Sequence, residues 1–185
     1  MVKPRGPCMK TKLELTGPSG QRHQIFISIE TSSAHATLEA CYESGDLDLA
    51  AGATIAKWRA DYEPPIPGND PGHVDIGQGQ CDIEVDELRG LGLGSYFMSF
   101  LVCWVKRQPC VPVVPILLSA TDAATDAATK RRNRFWEKLG FRFDYHDNET
   151  WGKSNPLLSN DLVDPGLRVA KGWKIRELAG NSTRC

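Results

Sequence analysis

Arg89-Gly90-Leu91-Gly92-Leu93-Gly94-Ser95 is the stretch of this chain whose residue types and spacing could do chemistry. It lies between a strand-like run, Cys81-Asp82-Ile83-Glu84-Val85, and an apolar helix-like run over residues 96–105. Glycines let a backbone approach a ligand closely and leave its amides unshielded. The first turn of the following helix adds N–H groups without intrahelical partners and the positive end of the helix dipole. Such a turn is suited to an anion, and phosphate is the expected one. A Walker loop needs Lys after its last glycine, and Ser95 stands there instead. The dinucleotide fingerprint needs Gly-x-Gly-x-x-Gly, whereas the spacing here is Gly90-x-Gly92-x-Gly94.

The spacing Arg89-x-x-Gly92-x-Gly94 resembles the Arg/Gln-x-x-Gly-x-Gly/Ala loop of the GNAT superfamily of N-acetyltransferases. A second segment, Asn133-Arg134-Phe135-Trp136-Glu137-Lys138-Leu139-Gly140-Phe141, is similar to that family's later helix, which typically ends Phe-Tyr-Glu-Lys-Leu-Gly-Phe. The resemblance covers roughly residues 80–145, and the order of strand, glycine loop, helix, strand and helix agrees with it. It implies an α/β (α+β) fold: a mixed, mostly antiparallel sheet flanked by helices, with a splayed central strand pair holding coenzyme A. It also implies acetyl-CoA as co-substrate. The amides of Gly90, Leu91, Gly92, Leu93, Gly94 and Ser95, with Arg89, would cradle its pyrophosphate. Backbone groups near Val85 would pair with the pantetheine, and Asn133 and Trp136 would lie on the cofactor side of the later helix.

Acetyl transfer from a thioester to an amine requires the two to be held together, the ammonium to lose a proton, and the oxyanion to be stabilised. Asp82, Glu84 and Asp86 alternate with Cys81, Ile83 and Val85, so the acids share one face of an extended run. Glu84 is the first candidate base, although the same acids would equally make a solvated strand face. The family usually places apolar residues where Asp82 and Glu84 fall. Many members also carry Tyr beside the Phe of the later helix, as the acid that protonates the leaving thiolate. This chain has Trp136 there, and an indole N–H donates a hydrogen bond but is no acid near neutrality. Core packing is the alternative role for Trp136. Tyr145 and Tyr96 are substitutes by residue type alone, and Tyr145 is the candidate acid. His23, His35, His73 and His146 show no metal-ligand spacing, so no metal is expected.

The elements that must position these residues read as follows. Residues 12–15, 24–30, 36–43 and 53–61 alternate apolar with polar side chains, as in an antiparallel meander. The family's two helices after the first strand cannot both be placed, though residues 32–40 could form a short one. Residues 63–72, rich in Pro and Gly, form an exposed loop that either lines a substrate entrance or simply connects. Residues 111–119 are strand-like despite Pro112 and Pro115. A helix is expected from Thr121 or Asp122 to Leu139, with Gly140 ending it. Residues 151–156 and 164–166 read as loops, and residues 167–170 and 173–178 as closing strands. Residues 1–10 should be unstructured, residues 11–180 one domain, and residues 181–185 a frayed tail.

At 185 residues, 41% hydrophobic and 24% charged, the chain is long enough for a core without staples. Its net charge of −1 argues against an extended nucleic-acid surface. The cluster Lys130-Arg131-Arg132 with Arg134 is local: a solvated helix face, a partner for the cofactor's 3′-phosphate, or a contact for an acidic target. Six cysteines without a Cys-x-x-Cys pair, and no apolar leader, point to a reducing, cytoplasmic setting. No apolar run is long enough to span a bilayer. The expected function is an acetyl-CoA-dependent N-acetyltransferase acting on a primary amine by direct transfer in a ternary complex. A CoA-binding regulatory protein without turnover and an acetyltransferase acting on charged tRNA are the competing readings. Acceptor identity and oligomeric state are not fixed by the sequence, and a homodimer is compatible with it.

Overall fold

The computed structural model describes residues 8–77, 81–122 and 125–178. The proposed frayed tail and all but the last three of the ten N-terminal residues lie outside them. Strands β1 (Cys8–Thr16), β2 (Arg22–Thr31), β3 (His35–Gly45) and β4 (Thr54–Glu63) form the expected meander. Short β5 (His73–Asp75) and C-terminal β9 (Lys174–Leu178) complete a six-stranded sheet of order β5-β4-β3-β2-β1-β9, antiparallel throughout. Strict alternation builds it. Leu13, Leu15, Ile25, Ile27, Leu38, Ala40 and Trp58 are buried on one face, while Lys12, Glu14, Ser28, Thr37, Glu39, Lys57 and Arg59 occupy the other.

Helix α1 (Leu93–Val105) covers the apolar face, packing on β3 and β4. Phe97, Met98, Leu101, Val102 and Val105 are completely buried. The Trp104 indole N–H donates to the Ser32 carbonyl at 3.2 Å, fixing the far end of the helix. Helix α2 (Asp126–Glu137) is largely polar and buries the stripe Thr129, Asn133 and Trp136. A second sheet, of order β6-β8-β7, joins β6 (Leu117–Leu118), β7 (Phe143–His146) and β8 (Trp151–Ser154).

The GNAT-like fold is corrected by this architecture. The chain has nine strands and two α-helices among the described residues, mostly antiparallel sheet rather than a sheet flanked by helices. The physical reason is the polar second face of β1–β4. Helices cover a sheet where both faces are apolar, and an antiparallel sheet with one charged face needs no cover there. Residues 32–40 accordingly run into β3, not a helix.

No splayed central strand pair forms either. Residues 81–85 are not a strand: only the Glu84 amide bonds across, to the Ile55 carbonyl at 2.9 Å. Residues 111–119 contain just two strand residues, Leu117 and Leu118, and two isolated bridges, Val74–Val113 and Pro112–Leu158. Pro112 and Pro115 have no N–H to extend a ladder. Smaller corrections follow from local bonding. The Thr125 side chain caps α2 by accepting from the Ala128 amide at 3.2 Å, so the helix begins later than Thr121. Residues 151–154 form β8 rather than a loop, and residues 167–170 are not a strand.

His23 is 4% exposed, stacked on Trp173 with ring centroids 5.8 Å apart, and its Nδ1 has no hydrogen-bond partner among the described residues. Burial pushes its pKa below 6.5, outweighing the attraction of Asp46. The unfolded chain therefore binds the proton more tightly. Stability from this group is complete above the unfolded pKa and lost as pH falls through it. On going from about pH 7.5 to about pH 5, urea denaturation should show a larger loss for the wild type than for His23→Gln. Equal losses would place His23 outside the acid response.

Candidate functional site

The glycine loop starts from a 3-10 turn, Asp86–Leu88, whose last residue is buried. Arg89 follows and is occupied structurally. Its Nε donates to the Ile83 carbonyl at 2.6 Å, and its guanidinium pairs with Asp86. Gly90 and Gly92 have φ of +79° and +103°, values that L side chains rarely adopt. Gly92 is the N-cap of α1 and its carbonyl accepts from the Tyr96 amide. The amides of residues 90–95 find no acceptor among the described residues.

The glycines differ in what they face. Nothing lies within 4 Å of where a Gly90 side chain would begin. A Cβ on Gly92 would sit 2.1 Å from the Arg168 carbonyl oxygen, because residues 168–170 cross over the loop and the Ala170 amide donates to the Leu91 carbonyl at 3.2 Å. A Cβ on Gly94 would be in ordinary contact with Trp58 at 3.5 Å and Phe135 at 3.6 Å. Leu91 and Leu93 are buried anchors, and Ser95 is 9% exposed with no hydrogen bond to its hydroxyl among the described residues. The open part of the cradle is therefore Gly90 and the amides around it.

Glu84 is exposed and lies beside this loop, since Arg89 holds the carbonyl of its neighbour Ile83. The Val85 carbonyl accepts from the Leu88 amide, which leaves only its N–H for a ligand. The side chains of the other candidates are engaged in other contacts. Tyr145, on β7, donates to Glu137 Oε1 at 2.8 Å, and burial together with that carboxylate pushes its pKa far up. Tyr96 donates to Glu177 at 2.6 Å. Asn133 is 3% exposed with both amide functions used: Nδ2 donates to the Glu149 carbonyl at 3.0 Å, and Oδ1 accepts from Arg132 Nε at 3.0 Å. Trp136 packs edge-on against Phe135 and Phe141, the core role. The Cys81 thiol is pushed up to about 12, chiefly by burial, so it is no nucleophile at neutrality.

Among the described residues no group of three His, Cys, Asp or Glu side chains could hold a metal, and no helix is long and apolar enough to cross a membrane. No protein-family model matches the chain, and neither the curated proteins nor the solved structures contain a match. Sequence reasoning missed the turn joining β7 to β8. Asp147, Asn148 and Glu149 have φ of 48°, 54° and 66°, three consecutive non-glycine residues in the left-handed region. Asp147-Asn148, the residue types that best tolerate that region, was the available signal.

Gly92→Ala should destabilise the fold by more than about 2 kcal/mol, because positive φ and a backbone clash add. Gly94→Ala should be neutral or stabilising by up to about 1 kcal/mol, since the position is helical and has room. Denaturant midpoints of the two variants check the order, and equal effects would refute the different packing of the two glycines.

Proposed function

We propose that this chain is an acetyl-CoA-dependent N-acetyltransferase that passes an acetyl group directly to a primary amine in a ternary complex. The observation that carries the reading is the run of amides over residues 90–95 that find no acceptor among the described residues, at the N-terminus of a thirteen-residue helix and open at Gly90. Fixed N–H groups at a helix start suit the pyrophosphate of coenzyme A. The resemblance of this loop and of residues 133–141 to the N-acetyltransferases selects that cofactor from other phosphate ligands.

In the step itself the amine nitrogen attacks the thioester carbon, the C–S bond breaks, and coenzyme A departs as its thiolate. Glu84, exposed beside the loop, takes the amine proton directly or through water. Tyr145 is withdrawn as the acid because its hydroxyl is committed to Glu137. A thiolate is a stable leaving group near neutrality, and protonation by water completes the reaction. Binding without turnover is the second reading. It is favoured by one observation: the Tyr145 and Trp136 side chains are both engaged in other contacts.

Gly90→Asp against Gly90→Asn tests the cradle, since both share the left-handed strain and only one brings a charge. Calorimetry should find acetyl-CoA bound by the wild type, retained within a few-fold by Gly90→Asn, and weakened at least about tenfold by Gly90→Asp. Equal affinities for the two variants would exclude the loop as the phosphate site. Glu84→Gln should keep acetyl-CoA binding and lose about a hundredfold in turnover of an amine substrate. A folded wild type that binds acetyl-CoA and acetylates no amine supports the second reading.

A further inference from the structure

The end of α2 and the start of β7 border an open hollow of about 490 Å³, lined by Glu137, Gly140, Phe141, Arg142, Phe143 and Tyr145. One wall of it is aromatic. Phe143 and Tyr145 fall on the same face of β7 and are partly buried, with ring centroids 5.5 Å apart and planes within 28° of parallel. Phe141, 6.3 Å from Phe143, continues the row of rings into the core. Tyr145 stands opposite Gly152 of β8. A Cβ on Gly152 would lie 3.1 Å from Tyr145 Cδ1, so the bare backbone there lets the ring rest against the sheet beside the hollow.

The acidic part of the lining is one carboxylate in a setting that favours cations. Glu137 is the last residue of α2, at the negative end of the helix dipole. Its Oε1 accepts from the Tyr145 hydroxyl at 2.8 Å, which ties the carboxylate to the aromatic wall, and its Oε2 has no partner among the described residues. Neither Glu137 nor Arg142 forms an ion pair among the described residues, so the carboxylate keeps its charge uncompensated. The faces of aromatic rings attract a cation held within about 6 Å of their centres. Carboxylate, helix end and rings therefore act with the same sign. They do not serve every cation equally. A primary ammonium carries three N–H donors, and this wall offers one free carboxylate oxygen and otherwise ring carbon. Donors left unmet cost affinity. A quaternary ammonium has no donor to lose, and its charge lies on methyl groups that pack against rings.

We propose that this hollow binds a quaternary ammonium ion of the choline class. The methyl groups lie on the rings of Phe143 and Tyr145, and Glu137 supplies the counter-charge. The Tyr145 hydroxyl positions that carboxylate beside the rings. Arg142 opposes the bound charge and acts against affinity. The site draws on nothing in the glycine loop, and it stands or falls independently of acetyl transfer.

The test titrates the full chain, labelled with nitrogen-15, with choline, with its uncharged carbon isostere dimethylbutanol, and with ethanolamine. Choline should move the amide signals of Gly140, Phe143 and Tyr145, and the other two should bind at least about fivefold more weakly. Glu137→Gln should weaken choline about fivefold or more, while Arg142→Gln should leave its affinity unchanged or raise it. Glutamine still accepts from the Tyr145 hydroxyl, and both positions are exposed, so the variants keep the fold, which an unchanged spectrum outside the hollow verifies. No shift with choline, equal affinity for the isostere or for ethanolamine, or full affinity in Glu137→Gln overturns the proposal. So does a loss of choline binding in Arg142→Gln.

Discussion

Trp58 is the junction on which the rest of this structure depends. It is 1% exposed in the middle of β4. Its ring meets Phe97 of α1 edge-on at 5.6 Å and Phe135 of α2 at 6.0 Å, and its indole N–H donates to the Asp82 carbonyl at 3.0 Å. Gly94 lies over it, with room for a Cβ in ordinary contact with the ring. One side chain thereby fixes the large sheet, both helices, the run before the glycine loop and the loop itself. Aromatic pairs of this kind contribute about 1 kcal/mol each beyond simple burial. Their edge-on geometry also joins β4 to both helices at one point.

The two faces of the large sheet divide the work. The apolar face is consumed by α1 and the core. The other carries paired charges, among them Lys12 with Glu43, Arg59 with Asp61 and Arg176 with Glu14. Exposed pairs of this kind contribute little to stability. Their consequence is architectural: a charged face excludes a second layer of helices, and so excludes the helix-flanked arrangement that the glycine loop brought to mind. A motif that serves one loop does not dictate the layers around it.

Several residues that looked chemical turned out to be mechanical. Asn133 and Arg132 spend their hydrogen bonds on the β7–β8 turn, Arg89 ties its own loop to Ile83, and Trp136 fills the core. These positions hold the geometry in which Glu84 and Gly90 are left open. Burial lowers the pKa of His23, a shift that its sequence neighbourhood did not announce.

The sequence by itself determined the meander, the span of α1 and the glycine turn before it. Period-two alternation, an apolar run and clustered glycines are local signals, each readable within about ten residues. It also foretold Gly140 as a helix-ending residue, with φ of +97°. Only the tertiary structure decided that residues 81–85 leave the sheet, that residues 168–170 lie over Gly92, and that Tyr145 turns to Glu137. Those outcomes depend on partners as far away as Leu91 and Ala170, competing for the same backbone groups and space. Local periodicity shows which face of an element is buried, but not which neighbour buries it.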